Sequence, residues 1–208
     1  NSVYDGAGRL VQMGEAWRSK TNLTFRDNAV ATTGDIVLGG RNEVPNNVPE
    51  DLSHNLSNLT VRDNAALNVN GDLIIGRLQS STGTLSAQFN QAGGNTAVTG
   101  SIRFGRDGSV PGFLRTNLNL IDGLITVNDF GTVHADSVVS FLGGTLRIAL
   151  SPGAIEGGNI AAGHLWVYQD ATVEVEPEHT AVIRAPLEAP AESGVGNVAI
   201  AGGGPGYQ

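Results

Sequence analysis

A seven-residue run returns almost unchanged 36 positions along the chain: Leu23-Thr24-Phe25-Arg26-Asp27-Asn28-Ala29 reappears as Leu59-Thr60-Val61-Arg62-Asp63-Asn64-Ala65. Gly34-Asp35-Ile36-Val37-Leu38-Gly39 likewise returns as Gly71-Asp72-Leu73-Ile74-Ile75-Gly76, and more loosely as Gly100-Ser101-Ile102-Arg103-Phe104-Gly105. An arginine follows each copy, at Arg41, Arg77 and Arg106. Self-similarity at a period of about 20 to 50 residues marks architectures in which each unit covers the open face of its neighbour. A second alignment, offset by 29, matches Gly83, Leu85, Phe89, Ala92, Gly94 and Val98 with Gly112, Leu114, Leu118, Ile121, Gly123 and Val127. Gly143-Gly144-Thr145-Leu146-Arg147-Ile148 is a weaker copy.

Within a unit, apolar residues alternate over very short runs: Leu59 and Val61, Leu67 and Val69, Leu73 and Ile75, with Asp63-Asn64 and Asn70-Gly71 between them. Period two over three to five residues predicts short strands. Asp-Asn and Asn-Gly tolerate positive φ and so turn corners while the apolar side chains keep pointing inward. Three strands and three corners then make one coil. The expected fold is all-β, a single-stranded parallel β-helix, or β-solenoid. Asn-Gly also suits two-residue hairpins, which leaves an antiparallel β-sandwich as the alternative.

Three regions follow. Residues 1–20 form an N-terminal cap segment, in which Leu10, Val11, Met13, Ala16 and Trp17 suit a short helix face between Gly8 and Trp17, or else a strand. Residues 21–184 form the repeat domain, interrupted by an inserted loop at 42–57 that contains Pro45 and Pro49. Residues 185–208 are a Pro-, Gly- and Ala-rich tail whose short apolar run either packs back on its own chain or adds a strand to a neighbouring subunit. Val195, Val198, Ile200 and Tyr207 are the candidate assembly residues.

The runs Leu-Thr-Val-Arg-Asp-Asn-Ala at 59–65 and Gly-Asp-Leu-Ile-Ile-Gly-Arg at 71–77, with the paired glycines Gly93-Gly94 and Gly143-Gly144, resemble the repeats of exported bacterial β-solenoid proteins. These are autotransporter passenger domains and surface proteins of the PEP-CTERM kind. The resemblance implies an extracellular structural or adhesive role and supplies no functional residues.

Composition narrows the chemistry. Charged residues are 15%, against about 25% on average, and the net charge is −8 with a single lysine, Lys20. No basic stripe exists for nucleic acid, and no run approaches the roughly 18 apolar residues of a membrane span. The absence of cysteine removes disulfides and thiolate metal sites and suits bacterial export. Asn1 in place of methionine suggests a chain trimmed of its signal peptide.

No hydrolase elbow, phosphate loop or dinucleotide fingerprint occurs. His54, His134, His164 and His179 lack metal-binding spacing. Asp122, Asp129 and Asp136 recur every seven residues and, with Arg103, Arg106 and Arg147, form the one constellation suited to a β-helix enzyme cleaving acidic polysaccharides. Trp166 and Tyr168 alternate and share a strand face, suited to core or interface filling.

The expectation is therefore a structural protein, not an enzyme, without cofactor, metal or catalytic residues. It is secreted or on the bacterial cell surface, and its partner is itself, in a homo-oligomer or filament. The alternatives are a monomeric adhesin or stalk binding a cell-surface glycan, and a β-helix polysaccharide lyase or hydrolase.

Overall fold

The computed structural model describes residues 2–14, 19–39, 54–76, 84–105, 113–131, 134–149, 159–176, 180–188 and 198–202. All regular structure among them is β: β1 (Val3–Gly6), β2 (Val11–Met13), β3 (Lys20–Phe25), β4 (Val30–Thr33), β5 (Ile36–Leu38), β6 (His54–Val69), β7 (Leu73–Ile75), β8 (Thr84–Phe104), β9 (Phe113–Phe130), β10 (Ser137–Phe141), β11 (Thr145–Ile148), β12 (Asn159–Ile160), β13 (His164–Val167), β14 (Ala171–Val175), β15 (Val182–Ile183), β16 (Leu187–Glu188) and β17 (Val198–Gly202). Fifteen strands join one sheet, and β12 pairs β15 in a second. There is no helix among the described residues, hence none long and apolar enough to cross a membrane.

Every pairing among these strands is parallel, which sets aside the antiparallel sandwich. The chain returns to three ladders. The first stacks β1, β4, the second half of β6, the middles of β8 and β9, then β11, β14 and β17. The second stacks β2, β5, β7 and the ends of β8 and β9. The third stacks β3, the first halves of β6, β8 and β9, then β10, β13 and β16.

Alternation decides which side chains enter the space between the ladders. On the third ladder Leu59, Phe89, Leu118, Val139 and Leu165 are in register and fully buried, while Thr60, Asn90 and Asn119 beside them point outward. Leu67, Ile125 and Leu146 line the first ladder, and Leu73, Ile102 and Phe130 the second. The outward row bonds to itself: Asn58 Nδ2 donates to Asn22 Oδ1 at 3.0 Å and Asn119 Nδ2 to Asn90 Oδ1 at 2.8 Å. Where two asparagines meet in register one carboxamide donates to the other, although Asn58 Oδ1 itself is buried without a partner.

The corners account for the repeat motifs. Asp27 and Asp63 adopt φ of 58° and 59° between the third and first ladders, and Asp27 N donates to Asp63 Oδ2 at 3.1 Å. At the Gly-Asp corner, Asp35 Oδ1 accepts from Asp72 N and Asp72 Oδ1 from Ser101 N, both at 2.8 Å. The corner expected at Asn70-Gly71 is present between β6 and β7, but neither residue there nor Gly100 has the positive φ expected of it. Glycine is required for closeness instead: a Cβ on Gly71 would meet Asp35 Oδ1, and one on Gly100 would lie 2.7 Å from Gly71 O.

Three expectations change. The segment from Gly8 to Trp17 forms β2 and no helix up to Gly14, because Val11 N is committed to Asp35 O at 2.9 Å; residues 15–18 lie outside the described residues. Residues 1–20 accordingly contribute rungs to the ladders. β6 begins at His54, so the last four residues of the expected 42–57 loop are strand, with Ser57 buried against Thr21 at 3.2 Å; residues 42–53 lie outside the described set. Finally, the 29-residue match of Ala92 with Ile121 slips by one, since Ala92 pairs with Asp122 across a register shift.

One core position is polar without compensation. Thr116 is fully buried between Ala87 and Ser137 on the third ladder, and its Oγ1 has no hydrogen-bond partner. Thr116→Val keeps the shape and removes the unsatisfied hydroxyl, so it is expected to stabilise by about 1 kcal/mol. An unchanged or lower denaturation midpoint would show that the hydroxyl is satisfied in solution.

Candidate functional site

The four candidate assembly residues do not form one cluster among the described residues. Val198 and Ile200 occupy β17, in register with Ala171 and Val173 of β14, while Val195 and Tyr207 lie outside the described residues. β17 therefore pairs with a strand of its own chain, as the last described rung of the first ladder.

That placement moves the open edges outward. Among the described residues, β17 pairs only with β14, β16 only with β13 and β15 only with β12. At the other end β1, β2 and β3 each pair on one side only, with β4, β5 and β6. Apolar exposure concentrates in the same places. Of the seven exposed large apolar side chains among the described residues, six lie within residues 3–30 or 182–187, and Ile121 is the exception. Two of them are the final members of buried columns: Tyr4, 48% exposed, is in register with fully buried Ala31, and Leu187, 58% exposed, with fully buried Leu165. Among the described residues, alternation carries the core columns to both ends of the ladders, where these two side chains are exposed.

Beside Leu187 a polar and aromatic group faces outward. Glu188 carboxylate oxygens lie 3.1 Å from His164 Nδ1, and Glu188 Oε2 accepts from Trp166 Nε1 at 3.1 Å. The Trp166 and Tyr168 rings meet edge to face at 6.3 Å. Leu165 and Val167 are the buried pair of β13, so Trp166 and Tyr168 share a face as expected but fill no core. The hydrogen bond with His164, then that with Trp166, lowers the Glu188 pKa from its ordinary 4.5. A depressed carboxylate contributes stability that is present above pH 4.5 and lost as the pH falls below it through the folded-state value. Glu188→Gln is thus expected to flatten the fall of the melting temperature below pH 4.5. Equal slopes in mutant and wild type would rule out this clip as the source.

The aspartate series does not converge. Thr116 pairs with Ser137, making this pass 21 residues long, so a seven-residue spacing puts one aspartate at each of its three corners. Asp122 pairs with Ala92 beside the first ladder; Asp129 precedes Phe130 on the second and accepts from Asn159 N at 2.7 Å; Asp136 precedes β10 on the third. Arg103 pairs with Asp72 at 2.9 Å and Arg147 with Glu174 at 2.7 Å, and Arg106 lies outside the described residues. His134 lies 3.9 Å from Asp136, and His179 is outside the described set. Among the described residues no group of three His, Cys, Asp or Glu side chains is placed to hold a metal ion.

No family model, curated protein or solved structure matches the chain.

The open ends had a partial signal in the sequence. Tyr4 and Leu187 stand in alternating contexts, but only the register reveals that each terminates a column.

Proposed function

We propose that this chain is an extracellular structural protein: a parallel β-helix rod of bacterial export origin that assembles end to end into a filament or coat. The observation that supports this reading is the pair of ends at which, among the described residues, the parallel ladders stop at edges paired on one side only, with Tyr4 and Leu187 exposed. Parallel rungs have one direction, so the first strands of one copy meet the last strands of another with the same polarity. Such a contact is heterologous and does not close, and repeated contacts of this kind build fibres. The seven spacings between the eight described rungs of the first ladder, at about 4.8 Å each, span about 34 Å per copy.

Negative-stain electron microscopy of the purified chain tests the reading. Filaments of uniform width that lengthen with concentration are expected, and uniform short particles at every concentration would overturn it. Deleting 185–208 is a poor test, because it removes β16 and β17 and merely exposes the edges of β13 and β14.

A monomeric adhesin or glycan-binding stalk is the second reading, favoured by the outward Trp166, Tyr168 and Glu188 group. It gains support if the particles stay short and bind a neutral glycan.

A further inference from the structure

Resting on the end-to-end reading, we infer the joint itself. The partner is a second copy of this chain, and β16 and β17 of one copy receive β3 and β1 of the next. Each inward column has a first and a last member. Leu23 opens the column that continues through Leu59, Phe89, Leu118, Val139 and Leu165 and ends at Leu187. Tyr4 opens the column of the first ladder, whose last register position is Ile200. On the remaining ladder Val11 opens the column that runs through Ile36, Leu73, Ile102 and Phe130, while Ile183, paired with Ile160, belongs to the separate two-stranded sheet.

When one copy follows another, two columns resume: Leu187 on Leu23, and the register position of Ile200 on that of Tyr4. A shift of one residue would set Leu187 against outward-facing Asn22 or Thr24, because side chains alternate along a strand. The columns therefore specify register as well as polarity.

Charge fits the same direction. Residues 1–39 hold as many basic as acidic side chains, with Arg9 and the sole lysine, Lys20, among them, whereas residues 159–208 hold six acidic side chains against Arg184 alone. Joining unlike ends places Lys20 near the acidic end, while joining two like acidic ends sets carboxylates against one another. Head to tail is the favoured docking, and it weakens as salt screens it.

Cysteine pairing tests the joint, since the chain has no cysteine of its own. Opposed residues on adjacent strands lie about 4.8 Å apart, within the roughly 4.4–6.8 Å that a disulfide accepts. The double variant L23C/L187C, mildly oxidised at a concentration where assembly occurs, is expected to give a ladder of covalent multimers on non-reducing gels that collapses on reduction. An equimolar mixture of L23C and L187C is expected to stop at the dimer. Filaments without cross-links would overturn this joint and leave the end-to-end reading standing; neither filaments nor cross-links would overturn both. Covalent dimers of L23C alone would also overturn it, because they require like ends to meet. Leu187→Asp in the otherwise intact chain puts a charge on the open column and is expected to reduce assembly at least tenfold. Filaments that persist in that variant contradict the joint independently of any cross-link.

Discussion

Phe89→Ala is expected to lower the unfolding free energy by about 3–5 kcal/mol. Phe89 is fully buried midway along the third ladder, with Leu59 on one side and Leu118 on the other. Each pass touches chiefly its neighbours, so the cavity lies inside a column and both flanking rungs lose contacts. The surrounding backbone is held by ladder hydrogen bonds on two sides and has little freedom to collapse into the space. Leu23→Ala, in the same column but at its uncovered end, is the control and is expected to cost less than half as much, since Leu23 is only partly buried. Denaturant midpoints with unchanged slopes would read the difference directly. Equal losses at the two positions would mean that burial does not fall off toward the end of the column.

Gly94→Ala is the second large effect, at about 3 kcal/mol or more. Two costs combine. At φ of +65° an L-residue pays roughly 1–2 kcal/mol for the left-handed conformation. A Cβ would also be driven into Ala65 O, with Ala65 N at 2.9 Å, and both of these are backbone atoms of the previous pass that cannot swing aside. Gly123 in turn lies against Gly94 O, so a displaced corner disturbs the pass beyond it. Gly8→Ala separates the two costs. Gly8 has φ of +76°, yet nothing lies within 4 Å of its absent Cβ, so only the conformational cost applies. Equal destabilisation by the two substitutions would show that the corner stack is loose.

These substitutions also mark what the sequence revealed and what it hid. The parallel stacking was legible where neighbouring passes copy each other: Leu23, Thr24 and Phe25 lie in register with Leu59, Thr60 and Val61, and Leu73 with Ile102, as the motif copies imply. Identical residues recur because each inherits the same neighbours. Beyond Ile148 the copies fade, although the ladders continue. Leu165 pairs with Leu187 and Val173 with Ile200 at offsets of 22 and 27, where alternation survives but the motif does not. Pass length shortens from 36 residues between β3 and β6 to 21 between β9 and β10, so no single period describes the chain. That change also accounts for the aspartate series: in a pass of 21 residues a seven-residue spacing puts one residue at each corner. The N-terminal segment was ambiguous because Val11 and Met13 fit a helix or a strand over so short a run, and the hydrogen bond from Val11 to the following pass decides it. Of the candidate assembly residues, the tail run was found, but its pairing on β14 depends on a distant strand that local sequence does not name.

Sedimentation velocity across a hundredfold concentration range, at low and high salt, tests most directly the claim that these ladders continue from one copy into the next. A mass that grows in steps of one chain without plateau, and that shrinks as salt rises, is expected. A single species at the mass of one chain, or a closed dimer that stops growing, would contradict it.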